Sequence, residues 1–307
     1  MRLPPFGWTP DAMPDLTGRT ALVTGANSGL GLHTSLELAR HGARVLMACR
    51  SPERGEQALE RVRAATTGAA AELVTLDLAS LASVSAAAED VASRTDRLDV
   101  LVDNAGVMAV PRSLTVDGFE QQLGTNHLGH FALTGRLLPQ LLAAPAPRVV
   151  VVSSSAHRTG SLRLDDLMSE KAYSRWGAYG QSKLANLLFA GELSRRAHGR
   201  LLVASAHPGW AATNLQTGQQ SVVLEAALKV GNLLVAQSDA QGAWPSLYAA
   251  SMPDVQPDEY FGPGLFEVRG SPKRVGRSAA AQDQAAAHLL WEQSERLTGV
   301  SYGDLAT

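Results

Sequence analysis

Residues 20–42 read TALVTGANSGLGLHTSLELARHG, and this stretch decides the fold. A short apolar, partly β-branched run ends at Thr24, the turn that follows carries Gly25, Gly29 and Gly31, and a segment of helical period begins at once. A strand that passes through a glycine-rich turn into a helix is the opening half of a βαβ unit. The glycines are spaced four and then two apart, which differs from the G-x-G-x-x-G pattern, but the physical roles carry over. Gly25 permits a tight turn, Gly29 lets backbone approach a pyrophosphate, and Gly31 allows close helix packing. Asn27, Ser28 and Leu30 complete the loop, and the helix N-terminus offers free N–H groups and a positive dipole end to an anion.

The alternation continues outward from this unit. RVLMA (44–48), ELVTL (72–76), LDVLV (98–102), RVVVVS (148–153) and RLLVASA (200–206) are each separated from the next run by helix-like sequence, giving six strand-like runs with the first. Nearly continuous apolar strands suit a parallel sheet covered on both faces, so the expected fold is a single-domain, doubly wound α/β structure. Residues 1–19 read as an irregular arm and 20–307 as one domain. Two segments fall outside the alternation: a polar insertion at 160–176 and a mixed segment at 211–237. Both follow strand C-termini, where open α/β sheets bind ligands, so they are expected to wall and cover a substrate pocket. In the C-terminal helical tail, Leu289, Leu290 and Trp291 read as core.

Composition narrows the classes of function. With 27 Lys+Arg against 29 Asp+Glu, the chain lacks the basic balance that binding a polyphosphate backbone requires, which argues against nucleic acid as a partner. One cysteine, Cys49, excludes an internal disulfide framework. No apolar run reaches the roughly 18 residues of a membrane span, so no integral membrane segment is expected and a cytoplasmic location is. His127, His130, His157 and His207 show no ligand spacing, and no metal is expected.

Three further features carry chemistry. At the end of the second run stands Ala48-Cys49-Arg50. An acid there would pair with a ribose 2′-hydroxyl, whereas Arg50 accommodates a 2′-phosphate. A charge-assisted hydrogen bond is worth about 1.5–3 kcal/mol, enough to favour NADP(H) over NAD(H). Tyr179 and Lys183 lie four apart on a helical stretch and therefore share a face. Bringing a tyrosine from a pKa of about 10 to about 7 takes near 4 kcal/mol. A unit positive charge at about 4 Å supplies roughly that in an effective dielectric of about 20. Finally, Ser153-Ser154-Ser155 ends the fifth run, placing hydroxyls beside the expected cofactor.

Together these residues resemble the short-chain dehydrogenase/reductase family over about Asp15 to Ser301. The motifs are TGANSGLG (24–31), DL (77–78), NAG (104–106), Asn126 in GTNHLGHF, VSSS (152–155), YGQSK (179–183) and HPGW (207–210). ACR (48–50), LDDL (164–167), SKLANLLF (182–189) and LWEQSERLTGV look most like the retinol-dehydrogenase and protochlorophyllide-reductase branch, which mostly uses NADPH. The resemblance implies a Rossmann fold and an oxidoreductase that interconverts a carbonyl and an alcohol by hydride transfer. It implies that Tyr179 is the general acid/base, that Lys183 lowers its pKa and holds the nicotinamide ribose, that Ser154 orients the substrate oxygen, and that Asn126 holds a relay water. Asp77 would contact the adenine with Leu78 packing nearby. Asn104, Ala105 and Gly106 would line the cofactor, and Pro208, Gly209 and Thr213 would meet its nicotinamide and phosphate side. The family's habit of pairing helices allows a homodimer.

The gap from Ser154 to Tyr179 exceeds the family's commonest spacing and fits the branch that carries the insertion. No membrane anchor is evident, which sets a membrane-embedded retinoid substrate in question. Trp210 and the apolar residues at 222–235 point to a hydrophobic carbonyl or alcohol substrate. A catalytically inactive NADP(H)-binding regulator on the same fold is the alternative, and the occupied catalytic positions weigh against it.

Overall fold

All six apolar runs form strands, and their pairing builds one sheet. The structure, a computed structural model, describes residues 7–66, 70–209 and 237–305. Strands β1 (Thr20–Thr24), β2 (Arg44–Cys49), β3 (Ala71–Thr75), β4 (Val100–Asp103), β5 (Arg148–Val152) and β6 (Leu202–Ala206) pair in parallel. Two strands that the sequence pattern did not reveal, β7 (Tyr260–Leu265) and β8 (Arg269–Arg274), extend the sheet to eight in the order β3-β2-β1-β4-β5-β6-β7-β8. β7 joins in parallel, and β8 closes the sheet as an antiparallel hairpin partner.

The chain reverses direction across the sheet at β1, whose neighbours are β2 and β4. Loops leaving the C-terminal ends of β1 and β4 diverge there and open a crevice. Alternate strand residues face opposite layers. Ala21, Val23, Val45, Met47, Val150 and Val152 join one cluster, while Leu22, Leu46, Val149 and Val151 join the other. The first layer contains helices α1 (Gly29–Arg40) and α2 (Pro52–Ala64). On the opposite face lie α3 (Leu81–Arg94), an array from α4 (Gln121–Leu123) through a π turn (Gly124–Leu128) to α5 (Gly129–Arg136) and α6 (Leu138–Leu142), and the long α7 (Arg175–Arg196). After the sixth strand come α8 (Asp239–Gly242), α9 (Trp244–Ser251) and α10 (Gln284–Thr298).

The N-terminal arm is less free than its prolines imply. Trp8 is buried and meets Trp244 and Tyr248 edge-to-face, so the described part of the arm seals the layer under α9. In α10, Leu290 and Trp291 are buried as expected, but Leu289 is exposed. Consecutive residues on a helix are about 100° apart, so a run of three apolar residues cannot all face one core. Cys49 is buried, as its place in β2 predicts. Of the segment at 211–237 expected to form a lid, only Gln237 is described; Trp210, Thr213 and 222–235 lie outside the described residues.

β4 ends in a buried acid. Asp103 accepts a hydrogen bond from Thr134 Oγ1 on one carboxyl oxygen, while the other has no partner. Burial raises its pKa from 3.8 to about 8. The native state therefore keeps a proton that the unfolded chain releases, and stability drains as pH climbs from about 4 to about 8. Asp103→Asn removes this loss. Its melting temperature relative to the parent should rise progressively across that range in thermal scans, and an offset independent of pH would contradict a buried acid.

Candidate active site

The glycine-rich loop has the geometry its spacing predicts. Gly25 and Gly29 take φ of +67° and +53°, in the left-handed region that glycine adopts without cost. A side chain at Gly31 would overlap the Gly25 carbonyl and crowd the Asn104 amide, so the first turn of α1 sits directly on the loop. The helix start has no side-chain cap of its own, and the Asp239 carboxylate of α8 stands 3.7 Å from where a Gly29 side chain would begin. Ser51, Ser80, Ser174 and Asp283 cap α2, α3, α7 and α10 through their side chains, whereas Ser28 makes no side-chain cap and α1 has no acid in its first turn. An uncapped N-terminus with its backbone exposed by glycine is what an incoming diphosphate needs, so these residues fit a dinucleotide. Ser28 and Arg50 are exposed, and Asn27 and Leu30 are half-buried on the same loop.

Thr24 ties this cradle to β4. Its Oγ1 accepts from the backbone N–H groups of Asn104 and Ala105, each at 2.9 Å, and its carbonyl accepts from Asn104 Nδ2 at 2.7 Å. The same hydroxyl lies 2.9 Å from His130 Nε2, and His130 Nδ1 lies 3.0 Å from the Asn126 carbonyl. A carbonyl only accepts, so the proton sits on Nδ1 and Nε2 accepts from Thr24. Burial holds His130 neutral, with its pKa down at about 4, and the Lys183 charge acts in the same direction.

Asn126 occupies the π turn, where the wider helical ring separates it from ordinary helix pairing. Its side chain clasps Val107, accepting from the backbone N–H at 2.8 Å and donating to the carbonyl at 2.9 Å. It also donates to Ser182 Oγ at 2.9 Å, and Ser182 donates to the Tyr179 carbonyl at 2.8 Å. Gly106 fits between these groups, since a Cβ there would stand 3.0 Å from Asn126 Oδ1 and 3.5 Å from Lys183 Nζ. Leu78 packs on Gly129 with no room for a side chain between them, and the Asp77 carboxylate accepts from Ala79 N at 3.0 Å.

Tyr179 and Lys183 stand one turn apart on α7, both buried. Ser154, two residues beyond the end of β5, accepts from Ala156 N at 3.2 Å, and its side chain acts on the Tyr179 phenol to pull its pKa down. Its neighbour Ser153 instead donates to the Lys183 carbonyl at 2.7 Å. Lys183 Nζ donates to Val152 O at 3.0 Å and lies 5.9 Å from the centre of the Tyr179 ring. The protein groups alone do not lower the phenol as the simple charge arithmetic supposed. Burial pushes Tyr179 up, opposed by the Ser154 side chain, and burial pushes Lys183 down to about 8.

Other predicted residues fall around this centre. Pro208 accepts from Gln237, and Gly209 has φ +68° with no room for a side chain beside Val268. A cavity of about 260 Å³ lies between Ser155, Arg158 and Gly209 on one side and Phe266, Glu267 and Val268 on the other. Arg158 pairs with Glu267 at 3.0 Å across it. The insertion at 160–176 packs Leu162, Leu164 and Leu167 with α7 and α10, and Tyr173 donates to Val110 O at 2.8 Å. Trp176, its last residue, lies edge-to-face against Tyr179. Thr24, His130, Ser182 and Trp176 were not singled out as site residues by sequence, although the first three lie inside the motifs TGANSGLG, GTNHLGHF and YGQSK and Trp176 stands three residues before Tyr179.

The comparisons agree with this architecture. The short chain dehydrogenase family matches residues 19–222. Mouse retinol dehydrogenase 14 is 42% identical over 299 residues, covering 92% of this chain and 86% of that protein. Mouse polyprenol dehydrogenase is 40% identical, with 96% and 88% covered. A solved structure of an uncharacterised protein from Mycobacterium paratuberculosis is 45% identical, with a TM-score of 0.79 and 96% and 99% of the two chains covered. A structure described as an NAD(P)-dependent gluconate 5-dehydrogenase from Beutenbergia cavernae, with bound NADP, is 26% identical, with a TM-score of 0.61 and 77% and 91% covered. The chain belongs to the short-chain dehydrogenase/reductase family and is an oxidoreductase. Within that family it is retinol dehydrogenase-like. No helix among the described residues is long and apolar enough to cross a membrane.

Thr24→Val keeps the shape of the side chain and removes the hydroxyl. Two backbone N–H groups and the His130 ring nitrogen then lose their partner, at about 1–3 kcal/mol for each buried group left unsatisfied. Urea unfolding should show a loss of at least about 2 kcal/mol, with Thr24→Ser close to the parent. A valine variant of unchanged stability would show that the hydroxyl bears no part of the load.

Proposed function

We propose that the chain is an NADP(H)-dependent oxidoreductase that interconverts a carbonyl and an alcohol, with Tyr179 as the general acid/base and a hydrophobic substrate. The observation that carries this reading is the placing of buried Tyr179 and Lys183 one turn apart on α7, with half-buried Ser154 acting on the phenol and Lys183 Nζ beside Gly106 and Asn126. Gly25, Asn27, Ser28, Gly29, Leu30 and Gly31 would hold the diphosphate on the N-terminal end of α1, and Arg50 the 2′-phosphate. Asp77 and Leu78 would flank the adenine. Asn104, Ala105 and Gly106 would line the middle of the cofactor, with Pro208, Gly209 and Thr213 at the nicotinamide end. When bound, the nicotinamide supplies or accepts the hydride.

The chain's own groups manage the proton. Tyr179 gives its proton to the carbonyl oxygen, and Ser154 polarises that oxygen as negative charge builds on it. Lys183 stands on the same helix face with its ammonium held by Val152 O, so its charge is available to stabilise the phenolate that remains. Asn126, fixed on Val107 and Ser182, keeps its helix in register with α7. The NADP-bound Beutenbergia structure and the retinol and polyprenol dehydrogenase relatives support the cofactor and an apolar substrate.

Tyr179→Phe should lower kcat for aldehyde reduction by about 10²- to 10⁴-fold, the usual contribution of a positioned acid/base, while NADPH binding measured by nucleotide fluorescence stays close to the parent. Retained turnover would refute the mechanism. Arg50→Ala should weaken NADPH binding by about ten- to a hundred-fold and leave NADH binding unchanged. Equal NADH and NADPH affinity in the parent protein would remove the proposed preference.

A further inference from the structure

Trp176 is the second residue of α7, and its surroundings differ sharply from those of the helix it begins. Every residue from Ala178 to Ala190 is buried, whereas Trp176 is 50% exposed. Its ring meets that of Tyr179 edge-to-face at 6.1 Å and 80°. Of the large apolar side chains exposed among the described residues, Trp176 is the one in ring contact with the candidate acid/base.

An indole needed only to pack against Tyr179 would gain by being covered on its other side, because apolar surface left in water forgoes the stabilisation of burial. Here half of the side chain stays open. With its centre 6.1 Å from that of the Tyr179 ring, the indole is within reach of the carbons that follow an oxygen held at the Tyr179 phenol. Flat π systems pair with an indole in offset or edge-to-face arrangements and gain beyond the area they cover, which compact saturated groups do not.

We propose that Trp176 is a specificity-determining residue whose open indole surface receives the group attached to the reacting carbon and selects flat, aryl-bearing carbonyl compounds over compact aliphatic ones. This rests on the reading of Tyr179 and Ser154 as the reacting pair. It adds a residue outside the family's motifs and assigns the end of the 160–176 insertion a part in substrate choice.

The test compares Trp176→Ala, Trp176→Phe and the parent on 2-naphthaldehyde and propanal with NADPH, and measures 2-naphthalenemethanol binding to the NADP⁺-loaded proteins by calorimetry. Trp176→Ala should lose about tenfold in kcat/KM for 2-naphthaldehyde, the scale of one lost aromatic contact, through KM and with an unchanged pH profile of kcat. Trp176→Phe should restore most of it, and propanal should change little. Equal losses on both aldehydes, or a displaced pH profile, would reduce Trp176 to a structural support of Tyr179 and overturn the proposal, as would no loss at all. If the parent reduces neither aldehyde, the proposed activity fails on its own, and calorimetry still decides. Weaker alcohol binding by Trp176→Ala supports the platform, whereas equal binding, or none in the parent, overturns it.

Discussion

The Thr24 hydroxyl accepts from two backbone N–H groups at the end of β4 and donates to His130, and the spacing of the whole crevice follows from that arrangement. β1 ends in the glycine loop and β4 ends in Asn104-Ala105-Gly106, so a bond between the strand ends fixes the gap between the two loops. Through His130 the restraint passes to the Asn126 carbonyl, and through Asn126 and Ser182 to the backbone of Tyr179. The links are buried or part-buried, and the His130 tautomer fixes the direction of the bond from Thr24. The alternative for each is an unsatisfied polar atom, which makes the chain of bonds stiff.

The parts of this architecture that depend on local sequence were legible before any coordinates. β1, β2 and β5 are apolar on both faces and could be read as central parallel strands. Tyr179 and Lys183 needed only the helical repeat. β7 and β8 escaped because YFGPGL and RGSPKR carry proline, glycine and charge where a strand pattern demands apolar or alternating residues. They form because Phe261 and Tyr260 are buried against existing layers, an effect that no window of sequence contains. The link from Thr24 to His130 joins residues 106 apart in the chain, so spacing could not announce it.

A second difference between sequence and structure is electrostatic. The four-residue spacing of Tyr179 and Lys183 describes proximity, but burial acts on both groups and moves each toward its neutral form. Tyr179 and Lys183 thus stand in a low-dielectric chamber in which burial outweighs their proximity. At the start of α1, too, the fold leaves backbone N–H groups without a side-chain cap, at the end of the glycine loop.

The hairpin that completes the sheet has a consequence for the protein's behaviour in a crowded solution. Pro263 stands opposite Pro272 in the β7–β8 pairing, and β8 also carries Arg269, Lys273 and Arg274. Proline lacks the N–H that a further strand would need, and the positive charges of Arg269 and Lys273 repel a second copy of the same edge, while Arg274 is paired with Glu259 and Asp254. β8 is therefore a terminus for the sheet, and a chain cut before Arg269 would present the strand bearing Tyr260 and Phe261 as an unprotected edge open to intermolecular strand pairing.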